Sequence, residues 1–344
     1  MASGWSPSCS AKYRCRDVRD SPQHASAQRP VLQPSAADVL ESLFRKRDMS
    51  DGIVPTFEEL VALRALAQGH RPAHRGRHGV SGQALSPLRG RGMEYAESRE
   101  YTIGDDGRHI DWRLTARSGK AHTKLFQAER ERLTLIVADT APALYFGTRV
   151  RFKSVQAARA GAVAAWVAIR DGDRVAALRG SNSEAPVPPA AGPRGVLRVL
   201  DALVRWYGRP TDDDVGLTIA LDHARRLLRP GSRLILLADP ASVAAVPVQR
   251  WPALSMHNEV IVLLLADPLE VEPPKAALPF NAAGRRIELD LATAGQRQRW
   301  RQEFMAPIEA ALAQLPARGV RVQLLPGNAP SDAWLPLLGR ARAA

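Results

Sequence analysis

Two aspartates follow apolar runs that are typical of buried strands, and their carboxylates are candidates for chemistry. Asp139 follows Leu133–Ala138, and Asp239 follows Arg233–Ala238. Because ligands bind outside the carboxyl ends of parallel strands, neighbouring strands would bring the two carboxylates together. Such a pair suits a hard cation such as Mg²⁺. A metal-dependent hydrolase is therefore one function that the sequence allows.

Helix capping competes with metal binding as the role of these carboxylates. Asp239 precedes Pro240, and an aspartate followed by proline is a favourable start of a helix. Asp267-Pro268-Leu269-Glu270 has the same form and predicts a capping box. Capping is the preferred interpretation for Asp267. For Asp239 the two roles are equally open.

Other enzyme classes find no motif in the sequence. There is no G-x-x-x-x-G-K-S/T phosphate loop, no H-E-x-x-H and no G-x-S-x-G elbow. The two cysteines, Cys9 and Cys15, lie in a polar N-terminal region, and no Cys/His set has zinc spacing. A hydrolase would lack a positioned base, a nucleophile and a phosphate cradle, so that interpretation ranks last.

The chain is basic, which raises the question of a nucleic-acid partner. It has 344 residues, with 48 Lys and Arg against 35 Asp and Glu, and a net charge of +13. We define the basic strip as residues 70–93, which contain arginines and no acidic residue. The strip indicates either a solvated linker or a docking site for an acidic partner or nucleic acid. It has no aromatic residue for base stacking and no recognition helix, so nucleic-acid binding is an alternative only.

The chain divides into three predicted regions. Residues 1–35 form a disordered basic tail, residues 36–130 hold helices and extended segments, and residues 131–344 form an α/β domain. No run approaches the ~20 apolar residues of a membrane-spanning helix, and the N-terminus lacks the apolar core of a signal peptide. We therefore expect a cytoplasmic protein without a membrane span.

Hydrophobic periodicity predicts the individual elements. In the N-terminal region, helices are expected over Ala36–Arg47 and Thr56–Gln68, the second with a capping box from Thr56 to Glu59. In the α/β domain, strands are expected at Leu133–Ala138, Arg174–Leu178, Arg233–Ala238, Val260–Ala266, Arg285–Leu291 (near an edge) and Val320–Leu325. Helices are expected at Lys153–Arg170, Val196–Tyr207, Val215–Leu228, Gln296–Gln314 and Trp334–Arg340, with a loop over Ser181–Pro193. Strands that alternate with helices predict a mainly parallel sheet flanked by helices.

A dense charged segment precedes this domain, and we name residues 94–131 the signature segment. Its stretches Arg108–Ala116 and Ala121–Gln127 suit extended structure. The balanced charges fit an ion-paired scaffold or a recognition surface. The candidate residues are Glu94, Arg99, Glu100, Tyr101, Gly104, Asp105, Asp106, Arg108, Asp111, Trp112, Arg113, Arg117 and Glu129.

The motifs of this segment resemble the signature of the domain-of-unknown-function-58 family. The matching motifs are Gly90-Arg-Gly-Met-Glu94, Ser98-Arg-Glu-Tyr101, Gly104-Asp-Asp106, Arg108-His-Ile-Asp-Trp-Arg113, Thr115-Ala-Arg117 and Glu129-Arg-Glu131. The resemblance extends over about residues 56–340. It implies a von Willebrand factor A-like, Rossmann-like domain for protein–protein interaction. It also implies a MoxR-type AAA+ ATPase as partner, in the assembly or maturation of other proteins.

The chain departs from the metal-binding form of such domains. That form has Asp-x-Ser-x-Ser after the first strand, whereas this chain reads Asp139-Thr-Ala-Pro-Ala143. The threonine of a later loop aligns with Val215, and Thr211 would replace it only if the loop shifts. Asp139 and Asp239 are therefore remnants of a degenerate site, where we expect no metal cofactor and an apolar patch from Ala141, Pro142 and Ala143. The predicted function is a non-enzymatic adaptor.

Overall fold

The structure is a computed structural model that describes residues 52–69, 85–90, 94–129, 132–282 and 285–339. The predicted tail, the predicted helix Ala36–Arg47 and most of the basic strip lie outside the described residues. The described helices are α1 (Phe57–Ala62), α2 (Arg64–Gly69), α3 (Trp112–Ser118), α4 (Lys153–Arg170), α5 (Gly192–Tyr207), α6 (Leu217–Leu227), α7 (Pro240–Ala244), α8 (Arg250–Ser255), α9 (Pro268–Val271), α10 (Ala294–Trp300) and α11 (Ala306–Gln314). The described strands are β1 (Leu85–Gly90), β2 (Glu94–Glu100), β3 (His122–Glu129), β4 (Leu133–Ala138), β5 (Arg174–Arg179), β6 (Val187–Ala190), β7 (Arg233–Ala238), β8 (Glu259–Ala266), β9 (Ala277–Ala282), β10 (Arg285–Asp290) and β11 (Val320–Pro326).

Six strands form the main sheet, in the order β11-β8-β7-β4-β5-β6. Neighbouring strands from β11 to β5 are parallel, and β6 pairs antiparallel with β5 at one edge. The central strands β4 and β7 are continuous apolar runs, because helices cover both faces of a parallel sheet. The predicted mainly parallel α/β architecture is confirmed, and it is consistent with a Rossmann-like fold.

Two apolar layers hold the sheet between helices. Alternate strand residues point to opposite faces. Ile136 and Ile235 pack in the layer that contains α4 and α5. Helices α1 and α2 belong to the same layer. Leu135 and Leu234 pack in the other layer, which contains α6, α7, α8 and α11. The core therefore lies on both sides of the strands that carry Asp139 and Asp239 at their ends.

Helix α4 packs close to the sheet because it is built mostly from small residues. A Cβ atom at Gly161 would lie 2.9 Å from Leu237 Cδ1 in β7 and 3.0 Å from Leu203 Cδ1 in α5. The helix thus fits between the sheet and α5 only without a side chain there.

The predicted helix over Thr56–Gln68 is divided in two. Thr56 caps α1 as predicted, since its hydroxyl accepts a hydrogen bond from the backbone N–H of Glu59. The predicted capping box is wrong, because the Glu59 carboxylate pairs with Arg159 in α4 instead. The chain turns at Leu63 before α2 begins. Docking on α4 explains this break, as the Trp166 indole donates to the carbonyl of Leu60 at 3.1 Å.

Two predictions at the periphery of the sheet are wrong in part. The expected loop Ser181–Pro193 contains the short strand β6, which tolerates its prolines because it lies at an edge. The strand β10 is present, but it pairs with β9 in a separate two-stranded hairpin and not at an edge of the main sheet. The sequence analysis missed β9, whose Pro279 argues against a strand.

The C-terminal helices differ from prediction because of prolines. The helix expected over Gln296–Gln314 contains a π-helical segment, Arg301–Met305, between α10 and α11. Pro307 has no N–H to donate to the preceding turn, so regular α-helical bonding is interrupted there. The terminal helix is a short 3₁₀ turn, Leu335–Gly339, that contains Pro336.

The signature segment contains β2, β3 and the connection between them. These two strands belong to a second, three-stranded sheet with the order β1-β3-β2. Extended structure over Ala121–Gln127 is confirmed by β3, but the extended prediction for Arg108–Ala116 is wrong. The Asp106 carboxylate caps a 3₁₀ turn, Gly107–His109, and the Asp111 carboxylate caps α3. Aspartate side chains that bond the backbone N–H groups of a helix start override the weak strand pattern.

None of the helices among the described residues has both the length and the apolarity that crossing a bilayer requires.

Candidate functional site

The two predicted carboxylates lie side by side at the carboxyl ends of neighbouring strands. Asp139 follows β4 and Asp239 follows β7, and these strands pair in parallel. The backbone N–H of Asp239 donates to Asp139 Oδ2 at 2.9 Å. Asp139 Oδ1 accepts from the N–H of Ala141 at 3.0 Å. Both oxygens of Asp139 are thus engaged by backbone donors.

Asp239 has two roles, one for each of its oxygens. Oδ1 accepts from the N–H of Ala241 at 2.9 Å and caps α7, so the capping interpretation is confirmed. Oδ2 accepts from Lys153 Nζ at 2.8 Å. Lys153, the first residue of α4, also donates to Glu270 Oε1 at 2.7 Å. A buried ammonium group therefore bridges two carboxylates from different strand ends.

A capping box holds Glu270 in place. Its Oε2 accepts from the N–H of Asp267, and the Asp267 carboxylate accepts from the N–H of Leu269. The predicted capping box is confirmed. The Asp267 carboxylate also accepts from the Thr148 hydroxyl at 2.5 Å and the Thr148 N–H at 2.8 Å. This ties the loop before α4 to the end of β8.

The charge state of this cluster follows from burial and pairing. Lys153 is 1% exposed, and burial alone would lower its pKa. Asp239 and Glu270 outweigh that effect and raise the pKa of Lys153 above its ordinary value. The lysine is therefore charged at neutral pH, and we name Lys153, Asp239, Glu270 and Asp267 the lysine cluster.

The donor set does not fit the divalent cation that the sequence resemblance associates with such sites. The Lys153 ammonium occupies the position between Asp239 and Glu270 that a cation would need. Ala141, Ala143 and Val215 supply no side-chain oxygen. Among the described residues, no group of three or more His, Cys, Asp or Glu side chains is arranged to hold a metal. The carboxylates are satisfied by the protein itself.

Asp139 is a buried acid with a raised pKa. It is 2% exposed, and burial raises its pKa to about 7 despite the hydrogen bonds that favour the ionised form. Near it lies the Tyr207 hydroxyl, which is fully buried and has no hydrogen-bond partner among the described residues. Burial, with the charge of Asp139 as a further cause, raises the pKa of Tyr207.

Two residues of the site, Lys153 and Tyr207, were not predicted from the sequence. A signal for Lys153 was present, because a lysine at the start of a helix faces the positive end of the helix dipole. Such a position is favourable only when acidic side chains lie close by. No signal pointed to Tyr207, which looks like an apolar-face residue of α5.

A second ion-paired cluster lies past the end of β5. Arg179 donates to Glu184 at 2.9 Å and to Asp213 at 2.7 Å. The hydroxyls of Ser181 and Ser183 also donate to Asp213, and these bonds, led by that from Ser183, lower the pKa of Asp213. This cluster fastens two loops together at the same edge of the sheet.

The surface above these clusters is apolar in part. Pro142 and Ala143 are exposed and Ala141 is half-buried, and Val150 and Val215 are 55% and 37% exposed. These residues follow β4 or precede α4 and α6, which places them at the carboxyl edge of the sheet. We name Pro142, Ala143, Val150 and Val215 the strand-end face.

A cavity of about 270 Å³ lies at the opposite, amino-terminal edge of the sheet. Arg132, Glu259 and Arg321 line it, and Glu259 pairs with both arginines. The cavity therefore lies away from the predicted pair Asp139 and Asp239.

The signature segment forms its own network at one end of the three-stranded sheet. Arg99 donates to Asp105, and Lys120 to Glu100. Asp111 accepts from the Ser98 hydroxyl, and Tyr101 donates to the carbonyl of Asp105. Gly104 has a φ of +111°, as the turn before Asp105 requires. Of the other candidates, Asp106 caps the 3₁₀ turn, Arg108, Trp112, Arg113 and Arg117 are exposed, and Glu94 and Glu129 lie on β2 and β3.

Comparison with known proteins identifies relatives without an assigned role. The family model described as "Protein of unknown function DUF58" matches residues 97–312. Uncharacterised proteins of Mycobacterium bovis and of two strains of Mycobacterium tuberculosis are 30% identical over 200 residues. The match covers 57% of this chain and 62% of each relative. The chain thus spans less than two thirds of the length of these relatives.

Proposed function

The chain belongs to the DUF58 family of proteins of unknown function, and from this premise we propose that it is a non-enzymatic adaptor. In this proposal its α/β domain is a von Willebrand factor A-like interaction domain. Its partner is a MoxR-type AAA+ ATPase, and the pair serves the assembly or maturation of other proteins. The motifs of the signature segment and the mainly parallel sheet support this proposal.

The lysine cluster carries the proposal. A strand-end site that performs chemistry needs a carboxylate free to bind a metal, a proton or a substrate. Here Asp239 and Glu270 are neutralised by Lys153, and Asp139 is engaged by backbone N–H groups. What the edge offers to a partner is therefore shape and apolar surface.

The strand-end face supplies that surface. The exposed aliphatic side chains at this edge provide apolar area whose burial by a partner is favourable. Ile53 extends this surface, since it is 49% exposed and adjoins Gly52, whose carbonyl accepts from the N–H of Phe152. The partner is expected to bury these side chains without a metal bridge.

A binding measurement with purified proteins tests the proposal. The ATPase, without nucleotide, is titrated with the chain in Mg²⁺ and in EDTA. We expect equal affinity in both, and a loss of about tenfold or more for Val150→Glu/Val215→Glu, because a carboxylate in an apolar interface is costly to desolvate. Met256→Glu is the matched control, since Met256 is exposed at the amino-terminal edge of the sheet.

Three outcomes would contradict the proposal. One is the absence of binding to any MoxR-type ATPase of the host. Another is a loss of affinity in EDTA, which would restore a metal to the site. A third is binding to nucleic acid alone, abolished by ~0.5 M salt, which would favour the alternative function.

A further inference from the structure

The signature segment presents two large apolar side chains to solvent. Ile103 is 103% exposed and Trp112 is 70% exposed. They lie in the connection between β2 and β3, and both ends of that connection are fastened to the same end of the three-stranded sheet. The N–H of Tyr101 donates to the carbonyl of Ala121, and the N–H of Asp111 to that of His122.

The Ile103 turn is rigid although its tip is exposed. The Asp105 carboxylate accepts from the N–H of Thr102 at 3.0 Å and from Arg99 at 2.7 Å. Arg99 also donates to the Thr102 hydroxyl at 2.9 Å. The turn is therefore fixed by polar bonds and needs no burial of Ile103. Because the backbone of the turn is already ordered by these bonds, little backbone entropy is lost when a partner covers Ile103.

Trp112 is held in a similar way. It is the first residue of α3, directly after the N-cap Asp111, whose carboxylate accepts from the N–H of Leu114 at 3.1 Å. This bond is the leading cause that lowers the pKa of Asp111, so the cap is ionised at neutral pH. The indole thus projects from a fixed helix start.

The acidic and the basic side chains near Ile103 and Trp112 differ in how far they are already bonded within the chain. Asp105, Asp106 and Asp111 are all used to bond the segment itself. Arg108, Arg113 and Arg117 are exposed and form no ion pair with the acidic side chains of the described residues. The connection between β2 and β3 therefore offers these three cations to a partner, while its three aspartates bond the connection itself.

We propose that Ile103, Trp112, Arg108, Arg113 and Arg117 form a docking surface for an acidic segment of another protein that carries apolar side chains. Tryptophan and arginine are the residue types that dominate binding energy at protein interfaces. Residues 1–35 and 70–93 of this chain do not fit, because they are themselves basic. The proposal does not depend on the strand-end face or on the identity of its partner.

Nucleic acid is a weaker candidate for this surface. An apolar pocket rimmed by carboxylates satisfies Ile103 and the arginines together, whereas a phosphate backbone satisfies the arginines only. A protein partner can therefore contact both the apolar and the basic side chains of the segment.

Fluorescence anisotropy of the full chain with defined probes tests the proposal. The probe is a synthetic amphipathic peptide with leucines on one face and glutamates on the other. One reference peptide has Gln for every Glu, and another has Ser for every Leu. We expect the acidic amphipathic peptide to bind at least about tenfold more tightly than either reference, with an affinity that falls as salt rises.

Matched variants locate the binding on the chain. Arg108→Gln/Arg113→Gln/Arg117→Gln and Ile103→Ser/Trp112→Ser are each expected to weaken binding about tenfold or more. The control Arg225→Gln/Arg226→Gln/Arg299→Gln removes the same charge from other exposed positions and is expected to leave binding unchanged. All three variants are expected to keep the melting temperature, because the replaced side chains are exposed.

Several results would overturn the proposal. They are failure of the acidic peptide to bind, equal weakening by the control variant, and tighter binding of a single-stranded DNA probe that displaces the peptide. A fall of several degrees in the melting temperature of Ile103→Ser/Trp112→Ser would also overturn it, since those side chains would then be packed within the chain.

Discussion

Lys153 is in an unfavourable place for a cation on two counts. It begins a helix, where the dipole is positive, and it is almost fully buried. Asp239 and Glu270, which are 86 and 117 residues away in the chain, compensate for both. The lysine is thus explained only by the tertiary structure, and its local sequence would favour a neutral residue.

We predict that Lys153→Met lowers the free energy of unfolding by about 3–5 kcal/mol, because it leaves two buried carboxylates without a counter-ion. Urea denaturation followed by circular dichroism measures this. The double variant Lys153→Met/Glu270→Gln should recover part of the loss, since one of the two charges is then absent. No loss in the single variant would mean that the carboxylates do not depend on Lys153.

A second prediction concerns Asp139, whose folded-state pKa is raised to about 7. In unfolded chains aspartate titrates near 3.9, so between these values the folded state binds the proton more tightly. The contribution of Asp139 to stability is therefore greatest below about pH 4, and it falls as pH rises through 7. The slope is at most about 1.4 kcal/mol per pH unit.

The variant Asp139→Asn lacks this titration. We expect the unfolding free energy of the variant, relative to the unsubstituted chain, to rise between pH 4 and pH 7. Other titrating groups are common to both proteins and cancel in the difference. Parallel pH profiles would show that Asp139 keeps an ordinary pKa.

At the scale of the elements, helix and strand bounds are predicted best where a single hydrophobic pattern covers the whole segment. The bounds of β4, α4 and β7 are as predicted, because a continuous apolar run or a long helical stripe leaves no competing structure. The proximity of Asp139 and Asp239 was likewise accessible, since parallel strands end at one edge. The partition of the chain at residues 35 and 130 stays a prediction.

The elements that were not predicted from the sequence depend on single side chains or on pairing with another strand. The start of α3 is set by the Asp111 cap, and the π-helical segment before α11 by Pro307. Strand β9 forms because β10 pairs with it, which overrides the unfavourable Pro279. Apolar periodicity carries no information on such local bonds and pairings.

The packing of α4 gives a prediction at this scale. Gly161→Val should lower the free energy of unfolding by about 1–3 kcal/mol, because the added atoms meet Leu237 and Leu203. Gly295→Ala in α10 is the matched control, as no atom lies within 4 Å of the added Cβ. It should be neutral or stabilise by up to about 1 kcal/mol. A neutral Gly161→Val would mean that α4 does not pack closely on the sheet.

At the scale of the whole molecule, charged side chains recur in buried or partly buried ion pairs, and the buried partner is basic as well as acidic. Asp173 is buried against Arg132 and Arg233, and Asp213 is bonded by Arg179. The net charge of +13 of the sequence favours the approach of an acidic partner. This charge agrees in sign with the docking surface that we propose on the signature segment.

The thermal stability of the whole molecule tests whether the fold depends on a bound metal. We predict that the melting temperature of the full chain is the same, within about 1 °C, in Mg²⁺ and in EDTA. A cation held at saturation would add on the order of 3 kcal/mol and raise the melting temperature by several degrees. Calorimetry in both buffers distinguishes the two cases, and a rise in Mg²⁺ would return a metal to the strand ends.

The cation of the lysine cluster is a side chain and not a dissolved ion, which affects how the protein can be regulated. A dissolved ion leaves when it is chelated or exchanged, so a site built on one responds to the ionic composition of its surroundings. The Lys153 ammonium is covalently attached and arrives with every newly folded molecule. The lysine cluster therefore keeps its cation when the ionic composition of the surroundings changes, and we expect dissolved metal ions not to switch this site.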